Sequence, residues 1–245
     1  MVVDDDGKGL FTTGYRHGDA LHVTDLDPDR PGLEVFGIHE IEENTKGPGV
    51  TVYDARTGET LFKGSPDEDR GRGVAENIDT TRMGAQMWWD GAKQLMDIHG
   101  NPIGPAPSSC NFLCWWDGDL SRELLNGNYI DKYGKGRIFT MTGAQSNNGS
   151  KSTPALSADL FGDWREEVIE RSSDNQNLRI YTTTIPTTHK IYTLMHDRQY
   201  RDAIAWQNSG YNQPPHVGFY LGYGMKTLPK PNIVMVKYKG ATAKK

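Results

Sequence analysis

Apolar residues along this chain come in short runs broken by glycine, proline and acidic turns, and no stretch carries the long 3.6-residue period of an amphipathic helix. The runs repeat. Residues 25–36 (Asp-Leu-Asp-Pro-Asp-Arg-Pro-Gly-Leu-Glu-Val-Phe) align with residues 77–88 (Asn-Ile-Asp-Thr-Thr-Arg-Met-Gly-Ala-Gln-Met-Trp), with glycine and strand positions in register. An offset of about 50 is the size of one four-stranded propeller blade. Residues 52–61 and 95–103 both read as strand, Asp/Gly turn, strand. Residues 159–169 and 178–184 read as a more diverged copy of the two halves. The expected fold class is therefore all-β, a β-propeller of four-stranded blades over residues 1–236, followed by a basic tail over 237–245. A chain of 245 residues holds about four to five such blades, near the lower end for a closed ring.

Composition narrows the function classes. A hydrophobic content of 36% with 10% aromatics supports a packed core, and 28 glycines with 13 prolines suit many short strands. A formal net charge of -5 argues against a phosphate-backbone binder, so nucleic acid is not an expected partner. No run is long enough to span a membrane. The start, Met1-Val2-Val3-Asp4-Asp5-Asp6, has neither the basic nor the apolar segment of a secretion signal. Cys110 and Cys114 would lie about 13 Å apart in an extended strand, too far for a disulfide, so free thiols are expected.

The acidic residues fall in clusters. Asp25, Asp27, Asp29 and Glu34 present carboxylates from a tight loop and the strand after it, which suits a cation that takes six to eight oxygens. The pattern recurs at Asp159, Asp163 and Glu167 and, weakened, at Asn77 and Asp79. Asp117 and Asp119 with Glu123 form a fourth cluster, although an acidic turn after Trp115-Trp116 needs no metal. His17, Asp19 and Glu40 flank the first acidic loop and could converge on one cation. A zinc hydrolase would be announced by a His-Glu-x-x-His helix, which is absent, and the surplus of oxygen donors favours Ca²⁺. Arg72 stands between Gly71 and Gly73, where backbone can approach a ligand, and its guanidinium matches a carboxylate with a two-pronged fork. Lys151 follows the turn pair Asn148-Gly149. Each basic residue taken singly is ordinary surface. Trp115, Trp116, Trp206, Tyr211 and Pro214-Pro215 offer stacking surface for sugars, although core packing suits most of the tryptophans better.

Several longer motifs occur together: residues 17–23, 27–36, 71–73, 115–120, 147–156, 158–167, 180–187, 193–197, 205–208 and 211–216. In this order they resemble the C-terminal part of the rhamnogalacturonan lyases of polysaccharide lyase family eleven. The resemblance implies a partial ring of an eight-bladed, calcium-binding propeller that acts outside the cell and cleaves the rhamnogalacturonan I backbone of pectin by β-elimination. It assigns Lys151 and Arg72 as the catalytic basic residues and Asn148, Gly149, Ser150 and Tyr211 as sugar contacts, with Ser150 where threonine is usual. It also makes His17, Asp19 and Glu40 ligands of a calcium near the cleft. The chemistry is coherent: taking the proton from C5 of galacturonate builds negative charge beside its carboxylate, and a cation or arginine must absorb it. A lysine takes a proton only in its neutral form, so alkaline conditions should favour the reaction. Two other functions remain open on the residues alone, a non-catalytic calcium-stabilised propeller that binds pectic polysaccharide and a hydrolase of the same polymer. A ring short of blades should also leave strand edges open, with self-association through them.

Overall fold

The computed structural model describes residues 1–41, 46–209 and 212–236. Strands β1 (Val2–Val3) and β2 (Gly9–Phe11) form a small hairpin, and four larger antiparallel sheets follow. Blade one holds β3 (Leu21–Thr24), β4 (Glu34–Ile38), β5 (Pro48–Asp54) and β6 (Thr60–Pro66). Blade two holds β7 (Gly73–Glu76), β8 (Gln86–Trp89), β9 (Gln94–Asp97) and β10 (Pro102–Pro105). Blade three holds β11 (Phe112–Cys114), β12 (Glu123–Asn126), β13 (Tyr129–Lys132) and β14 (Gly136–Thr140). In each, neighbours in sequence are neighbours in the sheet. These are the four-stranded propeller blades that the 52-residue offset predicts, since β3 and β7 begin at 21 and 73 and β4 and β8 at 34 and 86.

Blade four departs from the pattern. Its central strand β17 (Glu167–Ser172) pairs with β18 (Leu178–Tyr181) on one side, while β16 (Leu156–Ala158) and β15 (Ala144–Gln145) share its other side. No further strand covers β18 among the described residues, and Leu178 and Ile180 on it are 70% and 54% exposed. An apolar strand with an open edge is the arrangement that invites another chain to pair.

A single device shapes the loop between the first two strands of blades one to three and the loop between β16 and β17. The first residue of the following strand turns its side chain back and accepts two consecutive backbone N–H groups from the loop. Glu34 Oε2 accepts from Leu26 and Asp27 at 3.0 and 3.1 Å, and Gln86 Oε1 accepts from Ile78 and Asp79, both at 2.8 Å. Glu123 Oε2 accepts from Trp116 and Asp117 at 2.7 and 3.1 Å, and Glu167 Oε2 from Leu160 and Phe161 at 2.8 and 3.0 Å. Backbone donors in a buried turn must be satisfied, and one side chain satisfies two of them here. Gln86 performs the task with a neutral amide, so the clasp itself requires neither a carboxylate nor a metal.

The blades pack through Leu26, Phe36, Ile38, Val50, Val52 and Met87 between one and two, and through Trp88, Leu95, Leu113 and Leu124 between two and three. Trp115 and Trp116 lie in the core at 1% and 2% exposure and are unavailable for stacking sugars, whereas Trp206 is 40% exposed. The chain also contains a nine-residue helix, α1 (Arg198–Trp206), which the short apolar runs do not announce. Asp197 caps it by accepting from Tyr200 N at 2.8 Å and also accepts from Gly218 N. Residues 212–223 then run across all four blades. Asn212 Nδ2 donates to Pro154 O, Arg122 donates to Pro215 O, His216 Nδ1 meets Glu76, Thr24 Oγ1 donates to Val217 O, and Tyr223 N donates to Asn77 Oδ1. Cys110 and Cys114 are free thiols.

Candidate functional site

The site is built where two turns of blade one meet the loops of blades two and four. Gly18 lies so close to β4 that a Cβ there would fall 1.5 Å from the carbonyl oxygen of Ile38. Only glycine permits this approach. The contact continues as a backbone ladder, with Ile38 N donating to Ala20 O and Glu40 N to His17 O at 2.8 Å. It brings His17, Asp19 and Glu40 together, one ligand atom of each lying within 4.8 Å of the others.

Asp19 is the hub. Its Oδ2 accepts from Lys151 Nζ at 2.6 Å, and its Oδ1 faces His17 Nε2 at 3.4 Å with no hydrogen-bond partner although buried. Its backbone carbonyl accepts from Arg72 Nη1 at 3.3 Å and from Gln213 Nε2 at 2.9 Å. Lys151 also donates to Gly71 O at 3.3 Å. The loop carrying Lys151 closes on itself: Asn147 N donates to Thr153 O, Ser152 N to Asn148 O, and Lys151 N to Asn148 Oδ1 at 3.0 Å. Ser150 Oγ reaches Asn148 Oδ1 at 3.4 Å, and a Cβ on Gly149 would meet nothing within 4 Å, so this rim faces open space. Lys151, Arg72, His17, Asp19 and Glu40, spread over 135 positions of sequence, thus form one cluster of basic and acidic groups. Tyr211 lies outside the described residues, as does the tail over 237–245.

Arg72 differs from expectation. It is only 5% exposed, and besides Asp19 O its guanidinium donates to Asn111 O and, at 3.2 Å, to Asn212 O. Burial pulls its pKa below the usual arginine value. An arginine expected to project between two glycines into an open cleft is instead half structural, tying blade one to blade three and to the segment after α1. Sequence reasoning also missed Gln213 and Asn212 as supports of this cluster. Their signal was the Asn-Gln-Pro-Pro-His run, which carries no chemistry until its partners are known.

The other acidic clusters are placed differently. Asp25, Asp27, Asp29 and Glu34 do not bring three ligand atoms within 4.8 Å of one another, and neither do Asp159, Asp163 and Glu167. Asp159 is occupied by two backbone groups and a hydroxyl, accepting from Gly162 N, Leu194 N and Thr193 Oγ1. Asp163 pairs with Arg165 at 2.6 Å. Asp27 Oδ1 accepts from Asp29 N. Burial pushes the Asp25 carboxyl up to about 6 and raises Glu34 as well. Asp117, Asp119 and Glu123 do converge, but around the ammonium of Lys132.

A family model, "Rhamnogalacturonan lyase family 11, C-terminal domain", matches residues 1–231. The chain belongs to this family. It is 55% identical over 239 residues to the rhamnogalacturonan endolyase YesW of Bacillus subtilis, covering 95% of this chain and 38% of that one. The rhamnogalacturonan exolyase YesX of the same organism is 50% identical over 98% of this chain and 42% of its own. The crystal structure of YesW superposes with a TM-score of 0.90, at 52% identity over 96% of this chain and 40% of the other. The chain thus spans about two-fifths of the length of these family 11 lyases.

Proposed function

We propose that this chain carries the basic part of a rhamnogalacturonan lyase site that cleaves pectic rhamnogalacturonan I by β-elimination outside the cell. The convergence of Lys151, Arg72 and the His17, Asp19, Glu40 group on Asp19 carries the reading, and membership of family 11 supports it. The endolyase and exolyase relatives are alike at this distance, so the mode of attack is left to the product distribution.

An imidazole and two carboxylates, one with a buried unpartnered oxygen, form a donor set that fits a divalent cation, and the oxygen majority favours calcium. Held by His17, Asp19 and Glu40, calcium would supply positive charge to the uronate carboxylate. The rest falls to the chain's own residues. Lys151, which donates to Asp19 at the loop rim, is assigned the acceptance of the C5 proton, a role open only to the neutral amine. Arg72 keeps a fixed guanidinium beneath the same carboxylate hub, where its charge opposes the negative charge that builds beside C5. Elimination then expels the C4 oxygen and leaves an unsaturated uronate. Asn148, Gly149 and Ser150 line the open rim and are assigned sugar contacts, together with Tyr211. The exposed face of β18 is assigned to self-association or to pairing with further blades.

The test is absorbance. Purified chain with rhamnogalacturonan I and calcium should generate the near-ultraviolet band of a conjugated double bond. New reducing ends without that band would make it a hydrolase, and retention on the polymer without product would make it a binding module.

A further inference from the structure

The acidic loop of blade three has the residues of a cation site, yet a cation of the chain's own already fills it. We propose that Lys132 is the resident cation of this blade, so that the Asp117, Asp119 and Glu123 cluster holds no metal ion in the native protein. Lys132 ends β13 and is about 1% exposed. Its Nζ lies 3.0 Å from Asp117 Oδ2, 2.8 Å from Asp119 Oδ1 and 2.5 Å from Glu123 Oε1, and donates to Ser121 Oγ at 2.8 Å. Three carboxylates surrounding one point is the arrangement a metal ion would require, and an ammonium of three donors supplies the charge and the directionality instead.

The oxygens are already in use. Asp117 Oδ1 accepts from Asp119 N at 2.8 Å, Asp119 Oδ1 accepts from Ser121 N and Oγ, and Glu123 Oε2 holds the two loop N–H groups. A divalent ion could enter only by displacing Lys132 into the core, where an unpaired ammonium is costly. The other loops carry basic residues too, but less centrally. Arg30 and Arg82 are 34% and 53% exposed, and Arg165 joins Asp163 alone among the acids of its loop. Among the described residues, blade three is therefore the one of the four whose acidic loop closes around a buried ammonium.

Calcium bound per chain, measured after equilibrium dialysis against buffered calcium, tests the assignment. Wild type and Asp119→Asn should bind the same number of ions. Lys132→Ala should bind one more than wild type, with its melting temperature lowered in chelator and largely recovered in calcium. Adding Asp119→Asn to Lys132→Ala should abolish the extra ion. Loss of one ion from wild type on Asp119→Asn would overturn the assignment, as would an unchanged ion count in Lys132→Ala. Should Lys132→Ala fail to fold even in calcium, the comparison of wild type with Asp119→Asn decides alone. None of these counts depends on lyase activity.

Discussion

Replacing Arg122 with methionine should be among the most damaging single changes to this chain. Arg122 is fully buried at the junction of blades two, three and four. It pairs with Glu166 at 3.0 Å and Glu76 at 3.6 Å, donates to Pro215 O at 2.7 Å, and lies over the Trp115 ring at 3.9 Å. Methionine preserves much of the volume but leaves two buried carboxylates without their cation. Removing one partner of such a group costs about 3 to 5 kcal/mol. For a chain of this size each kcal/mol moves the melting temperature by about 2 to 4 °C, so a fall of about 6 to 20 °C is expected at pH 8. The pH dependence gives the sharper check. Burial pushes the Glu76 carboxyl up to about 7 and raises Glu166, while Arg122 pulls both down. A carboxyl whose folded pKa exceeds its unfolded value contributes stability at low pH that is lost as pH rises through the folded pKa. Without Arg122 both values rise further, so the variant gains more than wild type on acidification. Burial lowers the pKa values of His22 and His216 and Arg122 lowers them further, so their low-pH cost shrinks in the variant and acts in the same direction. Scanning calorimetry or urea titration at pH 8 and 5.5 should therefore find the gap narrower at pH 5.5. A gap that is constant or wider in acid would refute the charge argument and leave only packing.

Four further outcomes are expected. Glu34→Gln should cost under about 1 kcal/mol because Gln86 performs the same clasp in blade two, whereas Glu34→Ala, which orphans two buried N–H groups, should cost about 1 to 3 kcal/mol by urea titration. Gly18→Ala forces the turn away from Ile38 O and should weaken cation binding at His17, Asp19 and Glu40, measured by calorimetric titration, while far-ultraviolet circular dichroism stays that of wild type. Lys151→Ala should lower turnover by about 10² to 10⁴ with folding intact, and Arg72→Ala should lower both turnover and melting temperature because its guanidinium holds three backbone carbonyls. Sedimentation velocity should find self-association that Leu178→Lys with Ile180→Lys abolishes, since charge on an edge strand blocks pairing.

The blade architecture was legible because its spacing is tied to visible residues: Gly32 and Gly84, then Glu34 and Gln86, recur at one offset. Blade three falls outside this offset because Glu123 follows Gln86 by only 37 positions, the loop over 90–93 and the outer strands of blade two being shorter than their counterparts in blade one. The cleft residues were legible through the motifs around 17–23, 71–73 and 147–156, but their mutual contacts were not, for nothing local distinguishes a lysine that meets Asp19 from one that meets water. The same holds for burial. Arg72 between glycines read as exposed, and nothing in Tyr-Ile-Asp-Lys at 129–132 marks its lysine as buried. The buried network of His22, Glu76, Arg122, Glu166 and His216 draws on five separated segments, each unexceptional alone. The helix over 198–206 is too short to stand out by its period, although Tyr200, Ala203 and Ile204 keep helical spacing, and it is held by Tyr200 and Ile204 packing with Trp115 and Trp164.

The segment over 212–223, which touches every blade, also bears on the order in which the molecule can assemble. Each blade is local, closing within about 50 residues, and can form as soon as its own strands exist. The bonds through this segment are of another kind: Thr24 waits for Val217, 193 residues later, and His22 for His216. On a ribosome the blades would therefore stand as loosely stacked units, with His22, Glu76 and Arg122 still open to water, until the last tenth of these residues emerged. Translation halted before residue 212 would yield a chain rich in native strands yet unable to bury its charges, the kind of product that quality control recognises.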